Sequence, residues 1–358
     1  MEVYRILVIN PGSTSTKVGV YRNTESRLLK SIKHSPEELA PFEKVVDQFK
    51  FRKEIIMNEL VKAEVKINEI TAVIGRGGLV KPIKSGVYEV NDRLKEDLRK
   101  GILGEHASNL GGLLADEIAR CLPDARAFIA DPVVVDELQT VARVAGHPKF
   151  RRISIFHALN HKAVARAYAK FLDKEYEEMS LIVAHLGGGI TIAAHKNGRV
   201  IDVNQGLDGE GPFSPERSGT LPVGDLAKLC FGGKYSYEEV KKMITGHGGY
   251  MAYFETNDAY AVERMAEMGD RKAQLIQEAM AYQVGKEIGA MSAVLKGNVD
   301  AIILTGGIAY NSWMVDYIKT MVAHIARIVV HPGEDEMKTL ALNALHVMRG
   351  DMKCEIYK

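Results

Sequence analysis

The chain is poor in several residue types, and each shortage excludes something. It has 3 cysteines in 358 residues, Cys121, Cys230 and Cys354, far apart and never as Cys-x-x-Cys. That argues against a cysteine zinc site or a disulfide framework and fits a reducing, cytoplasmic setting. No apolar run approaches the ~18 residues that would suggest a membrane span, and the first residues show no basic region followed by an apolar stretch of signal length. Neither sign of charge is in excess: 47 Lys and Arg against 46 Asp and Glu leave a formal net charge of +1. Neither a nucleic acid nor a membrane surface is therefore an expected partner. No segment is of low complexity, and the 11 prolines form no proline-rich linker. With ordinary apolar and charged fractions, the length suggests a soluble globular protein of two domains, at roughly 150 residues each, joined at a hinge.

What is present is a turn chemistry that occurs twice. Ile6–Ile9 leads through Asn10-Pro11-Gly12-Ser13-Thr14-Ser15-Thr16-Lys17 into Val18-Gly19-Val20-Tyr21. Leu181–Leu186 leads through Gly187-Gly188-Gly189 into Ile190–Ala194, and an Asn197-Gly198 turn then opens Val200–Val203. Each unit reads as a β-hairpin whose tip lacks bulky side chains, so backbone N–H groups can approach an anion closely. Two such tips facing each other would grip a polyphosphate from both sides. The pattern points to a nucleotide-using phosphotransferase with an internal duplication. Neither tip is a Walker A loop or a dinucleotide fingerprint, because the first lacks Gly-x-x-x-x-Gly-Lys-Ser/Thr and a strand follows the second. Alone, each reads better as an ordinary turn; the repetition is the signal.

Strands alternate with helices along both halves, which implies α/β layering. Helices are expected at about 42–64, 107–120, 157–172, 271–296 and 335–348, from apolar spacing of three and four residues. Short buried strands are expected at 70–74, 127–130, 300–304 and 328–330. Several end in residues suited to chemistry. Arg76 follows a strand and is framed by Gly75, Gly77 and Gly78; an arginine fork suits carboxylate or phosphate. Arg217 lies in a Gly-, Pro- and Ser-rich loop over 205–224, where a surface ion pair is the competing reading. Asp131 ends a strand and could hold a Mg²⁺ water shell or serve as a cap. Gly306 and Gly307 end another strand, where nucleotides commonly enter. His106 and His157 open expected helices, where a neutral imidazole can face an anion. Glu334-Asp335-Glu336 precede the last helix and suit its N-terminus. No activated nucleophile stands out. The inventory is that of phosphoryl transfer by positioning and charge stabilisation.

Several of these stretches resemble one family. Ile9–Lys17 resembles the first phosphate motif of the acetokinase family. Gly104–Gly111, Asp131–Glu137, Ser154–Asn160, Ala184–Ile190 and Phe213–Pro222 resemble its butyrate-kinase branch, so the likeness runs nearly end to end. The resemblance implies an α/β, duplicated βββαβαβα fold of the actin-like ATPase, ribonuclease H-like type, two domains with an interdomain cleft. The first domain would span 1–152, with 338–358 packed back on it. The second would span 153–337 and carry the adenosine site. It implies ATP/ADP as cosubstrate, Mg²⁺ as metal, and a short-chain carboxylate and its acyl phosphate as substrates. A homodimer or higher homo-oligomer is implied as well.

Residue by residue, the resemblance places a catalytic asparagine on Asn10 and phosphate contacts on Ser13, Thr14, Lys17, Gly187, Gly188 and Gly189. The essential arginines fall on Arg76 and Arg217, and the active-site histidines on His106, His157 and His185. The metal-linked carboxylates fall on Asp131 and Glu336, and the adenosine loop on Gly306 and Gly307. Two departures stand out. Gly77 and Gly78 replace bulky apolar residues of the acetate kinases, which suggests room beside Gly78 for a longer acid, with Phe156 either a wall of that pocket or plain core. Asp335-Glu336-Met337 replaces Asn-Glu-Glu. The expected reaction is ATP with butyrate, giving butanoyl phosphate by direct in-line transfer. The alternatives are isobutyrate, acetate or propionate as the acid, or an ATP-driven switch protein with no acyl acceptor.

Overall fold

The structure, a computed structural model, describes residues 2–358. It divides into two compact units, Met1–Val135 with Asp335–Lys358, and Asp136–Glu334. The first unit is built on a sheet of seven strands: β1 (Arg5–Pro11), β2 (Ser15–Arg22), β3 (Glu25–Lys33), β4 (Ala72–Arg76), β5 (Val87–Glu89), β6 (Arg126–Ala130) and β12 (Cys354–Ile356). The second holds five: β7 (Ser180–Leu186), β8 (Ile190–Lys196), β9 (Arg199–Val203), β10 (Ala301–Gly306) and β11 (Ile328–Pro332).

The central strands β1, β4, β6, β7 and β10 read as nearly unbroken apolar runs because helices cover both faces of a parallel region. Strand β3 is mostly exposed and carries lysine and arginine, as an edge strand should. The sheet orders are β12-β5-β6-β4-β1-β2-β3 and β11-β10-β7-β8-β9. Without β5 and β12 they are the same. In each, a hairpin pair of antiparallel strands is followed by two strands parallel to the first. Even the register shift recurs, at Val20/Tyr21 in β2 and at Ala194/His195 in β8. The duplicated turn chemistry is thus a duplicated topology.

Each unit has its own core. In unit 1, Leu7, Ile9 and Val73 of the sheet pack with Leu60, Leu110 and Leu114 of the helices Phe49–Lys62 and Asn109–Ala119. In unit 2 the helix Arg271–Val294 buries Met280, Val284, Ile288 and Met291, its expected stripe, against Ile182, Ile192 and Leu304. Residues 136–152, expected in the first domain, lie in unit 2. The reason is local: Gln139 N–H donates to the Ile201 carbonyl, and Arg152 bonds Asp202 and the Val203 carbonyl at 2.9 Å each. The helix Glu336–Arg349 and β12 complete unit 1, with β12 parallel to β5.

This topology positions the candidate site. Strands β1, β4 and β6 are parallel neighbours, in register at Ile9↔Gly75 and Arg76↔Ala130. Asn10, Arg76 and Asp131 therefore emerge at one carboxyl edge. In unit 2, Thr305↔His185 and Gly306↔Pro332 bring the ends of β7, β10 and β11 together in the same way. Ligands of open α/β sheets bind outside such edges.

Candidate active site

In unit 1 the hairpin tip spans Gly12 to Thr14, with Ser13, Thr14 and the Lys17 side chain exposed. Beneath it lies Arg52, wholly buried. Its guanidinium donates to the carbonyls of Gly12 (2.8 Å), Ser15 (3.0 Å) and Ser13 (3.1 Å), and to Thr16 Oγ1 (3.0 Å). Its remaining bonds go to Gln48 Oε1. All of these acceptors are neutral. Burial draws the Arg52 group down to about 10, so it is still a cation at neutral pH, and no carboxylate among the described residues compensates it. In a trans peptide the N–H points opposite to the carbonyl before it. Turning the Gly12 and Ser13 carbonyls inward therefore turns the amides of Ser13 and Thr14 outward, and neither donates to a backbone acceptor. The tip is an anion cradle with a cation behind it.

Sequence reasoning missed Arg52, because Phe49-Lys50-Phe51-Arg52-Lys53 looks like any charged helix start. Arg52→Met is expected to take this donor from the part-buried carbonyls of Gly12 and Ser13, at about 1 kcal/mol each, while the Ser15 carbonyl keeps the Gly12 N–H. It should lower the unfolding temperature and weaken binding of an ATP analogue by about ten-fold or more, roughly 1.4 kcal/mol. Equilibrium binding to the folded fraction checks this, and wild-type affinity would remove Arg52 from the site.

Arg76 and Glu336 form a fork-on-fork pair, Nη1 to Oε2 and Nη2 to Oε1, both at 3.1 Å. Asn10 Nδ2 donates to the same Oε2 at 2.6 Å. The structure thus brings Asn10, Arg76 and Glu336 together. It also shows that both Glu336 oxygens are engaged by this chain's own donors. Asp335, not Glu336, caps the last helix, accepting from Lys338 N–H. Asp131 is buried and held in the left-handed region at φ 37°, a conformation that costs a non-glycine residue energy and often marks functional sites. Its Oδ1 accepts from Ser85 Oγ (2.7 Å) and Gly86 N–H (2.8 Å), so it ties down the bend that leads into β5. His106 does not begin a helix; the helix starts at Asn109, and His106 is exposed with Nδ1 accepting from Ser108 N–H at 3.2 Å.

The expectation of space at Gly77 and Gly78 is not met. A Cβ on Gly78 would lie 2.5 Å from Asn109 Oδ1 and 2.6 Å from Asn109 Cα, and one on Gly77 would lie 2.6 Å from Pro132 Cβ. Gly78 lets the chain after β4 touch the helix Asn109–Ala119 and Gly77 lets it touch Pro132, and the space a side chain would need is already filled. Phe156 is likewise core, 1% exposed, with its ring edge-on to His161.

In unit 2, His157 precedes the helix Ala158–Phe171 and stacks on His185, ring centroids 3.9 Å apart. His185 is buried on β7, with Nδ1 3.0 Å from Asn160 Oδ1 and Nε2 3.7 Å from Glu334. The tip Gly187–Gly189 joins β7 to β8. A Cβ on Gly189 would lie 1.9 Å from Arg217 Nη1, so the guanidinium rests directly on this turn. Arg217 Nη1 donates to the Gly206 carbonyl, whereas its buried Nε–H has no partner and Glu216 stands 4.0 Å from Nη2. Burial lowers the Arg217 group from its ordinary range. A buried cation with an unused donor beside a glycine tip is a receptor for an anion.

Gly306, at φ 90°, passes 2.3 Å (from its would-be Cβ) from the Leu186 carbonyl and starts a turn through Gly307. A cavity of about 240 Å³ opens beside Gly307, with Tyr250, Tyr260, Glu263, Tyr310 and Asn311 among its walls. It is apolar enough for a base and polar enough to orient one.

Comparison with known proteins gives the chain a family and a fold. The acetokinase family model matches residues 144–338, more than half of the chain. Over 356 residues the chain is 54% identical to "Butyrate kinase 1" of Clostridium acetobutylicum, covering 99% of this chain and 100% of that relative. Among solved structures, an acetate kinase from Porphyromonas gingivalis aligns with TM-score 0.78 at 20% identity, covering 96% of this chain and 100% of that one. A propionate kinase from Francisella tularensis aligns with TM-score 0.75 at 21% identity, over 95% and 98%. At those identities the structural likeness is one of fold, the duplicated actin-like ATPase fold. The family model and the end-to-end relative establish that the chain belongs to the acetokinase family.

Proposed function

We propose that this chain phosphorylates a short-chain carboxylate with ATP, butyrate first among them: ATP + butyrate ⇌ butanoyl phosphate + ADP. The observation that carries the reading is Arg217, a buried guanidinium with an unused Nε–H seated on the Gly187–Gly189 turn. The 54% identity to a butyrate kinase favours a four-carbon acid.

The carboxylate is ionised at neutral pH and needs no general base. Its oxygen attacks the γ-phosphorus in line; the new O–P bond forms as the bond to the bridging oxygen breaks, and ADP leaves with that electron pair. Arg217 and His157 donate to the transferring group, where charge develops. In unit 1, Ser13, Thr14 and Lys17 offer donors to phosphate; in unit 2, Gly187–Gly189 do so, with His185 beside that turn and adenosine against Gly306 and Gly307. His106 and Arg76 orient the acid. Arg76 already grips one carboxylate, that of Glu336; the substrate shares or displaces it.

Magnesium is bound by hard oxygens, usually one or two carboxylates plus substrate phosphates and water. Asp131 suits that donor set through water. Glu336 suits it less, since its oxygens serve Arg76 and Asn10. When bound, the ion would neutralise phosphate charge. Among the described residues no helix is long and apolar enough to cross a membrane. A cytoplasmic location and a homo-oligomeric state complete the proposal.

A hydroxamate trap with ATP and acids of two to five carbons tests it. At ~0.8 kcal/mol per buried methylene, the four-carbon acid should exceed acetate in kcat/KM by about ten-fold. Acetate in the lead would favour an acetate or propionate kinase. ATP binding without any hydroxamate would favour the switch protein and overturn the kinase.

A further inference from the structure

Unit 2 contains a row of buried side chains that none of the steps above uses. Tyr176 Oη lies 2.8 Å from His195 Nδ1. His195 Nε2 lies 3.3 Å from His161 Nδ1. His161 Nε2 lies 2.9 Å from Thr191 Oγ1, and that same oxygen is 2.9 Å from His157 Nδ1. The row begins at Tyr176, 4% exposed, passes through three residues at 0%, and ends on His157. The two inner rings, His161 and His195, are parallel to within 4°.

Burial pushes the His161 and His195 imidazoles well below their ordinary range, so both are neutral at physiological pH. A neutral imidazole has one N–H and one lone pair. A row of such groups, joined by single hydrogen bonds, has two consistent arrangements. In one, Tyr176 O–H donates to His195 Nδ1, His195 Nε2–H to His161 Nδ1, His161 Nε2–H to Thr191 Oγ1, and Thr191 O–H to His157 Nδ1. His157 then carries its proton on Nε2. In the other every bond is reversed, and His157 Nε2 is a bare lone pair, which repels an anion. A phenol O–H is a better donor to a neutral imidazole nitrogen than an imidazole N–H is to a phenol oxygen, so Tyr176 donates to His195 Nδ1. That end of the row selects the first arrangement.

We propose that Tyr176, His195, His161 and Thr191 act as positioning residues that fix the His157 tautomer, so that Nε2–H is the donor His157 offers to the phosphoryl group. The identity of that group rests on the kinase reading above; the tautomer does not. The unit invests one threonine and two buried histidines in a bond to Nδ1 that a single backbone N–H could have made. The row also explains why Thr191 follows the glycine tip: on β8 it faces His185 across the ladder and reaches both His157 and His161 from one position.

The test is nitrogen-15 NMR of histidine-labelled full-length protein, with the His157 signals assigned by His157→Gln, together with steady-state kinetics. The wild type should show His157 protonated on Nε2 and bare on Nδ1. Thr191→Val cuts the row and should give mixed tautomers with kcat lower by about 10–100-fold, the range for loss of a group that orients a functional histidine, at nearly unchanged KM. Thr191→Ser keeps the hydroxyl and should restore both. Tyr176→Phe, which leaves the inner histidines in place, should shift the tautomer balance in the same direction and covers the case in which Thr191→Val does not fold. A wild-type His157 protonated on Nδ1, or an unchanged His157 spectrum in folded Thr191→Val or Tyr176→Phe, overturns the proposal. If the tautomer responds but no acyl phosphate forms, the kinase reading falls alone.

Discussion

Arg217→Ala is expected to leave a folded protein whose kcat is lower by about 10³–10⁵, the contribution of a charge-stabilising arginine to phosphoryl transfer. Folding should survive because the loop that carries Arg217 is held by its backbone. Ser214 N–H donates to the Arg217 carbonyl, Gly246 N–H to the Glu216 carbonyl and Met251 N–H to the Pro215 carbonyl. The guanidinium itself adds one bond, to Gly206, worth about 1 kcal/mol. The catalytic loss should be far larger. The group is desolvated, its nearest carboxylate is 4.0 Å away, and its Nε–H is unspent, so an arriving negative charge meets a nearly uncompensated cation. Arg217→Lys should recover only part of the rate, since an ammonium cannot reproduce the fork. Saturating kinetics on protein with wild-type unfolding behaviour checks this; turnover within about three-fold of wild type, under ~0.7 kcal/mol, would take Arg217 out of the transition state.

Gly78→Val should fail as a specificity change and act instead as a folding mutation. Its Cβ would overlap the Asn109 backbone and Leu98, and neighbouring Gly75 is within 2.1 Å (again measured from its would-be Cβ) of the Gly111 carbonyl. Backbone cannot yield as a flexible side chain can. The strand and the helix Asn109–Ala119 would have to part, opening the core around Leu110 and Leu114. Overpacking of this kind costs typically 1–3 kcal/mol and occasionally more. The expected result is a lower yield of soluble protein, an unfolding temperature down by several degrees, and activity reduced in the same proportion on every acid. Thermal unfolding alongside the acid panel decides. A well-folded Gly78→Val enzyme that prefers acetate would restore the pocket at this position.

The elements that were legible in the sequence are those whose own residues specify them. β1, β4, β7 and β10 announce themselves by apolar runs, the hairpins by Asn197-Gly198 and the glycine tip, and the helix Arg271–Val294 by its stripe. β5 and β12, three residues each, are defined by their pairing at one end of the sheet, β12 with β5 and β5 with β6, and no periodicity marks them. The helix Asp92–Lys100 hides in a charged stretch, with Leu94 and Leu98 as its buried leucines, although Asn91 caps one end and Gly101 the other. At the site, the arginines, histidines and carboxylates at strand ends could be named from their positions. What they touch could not. Arg52 and Gly78 show why: one looks like a surface cation and the other like empty space until the neighbouring helix is in place.

Unit 1 is not continuous in the chain. Its sheet edge, its last helix and the Glu336 partner of Arg76 are supplied by Asp335–Lys358, after the whole of unit 2 has been spelled out. Chains emerge from the ribosome N-terminus first, at roughly 5–20 residues per second, and units fold when their segments are complete. Unit 2, one uninterrupted stretch, is complete first. The N-terminal unit waits for the last segment to emerge, and Arg76 has no Glu336 carboxylate to grip until it does. Completion of the units thus runs opposite to the order of synthesis, with the earliest residues among the last to gain all their native contacts.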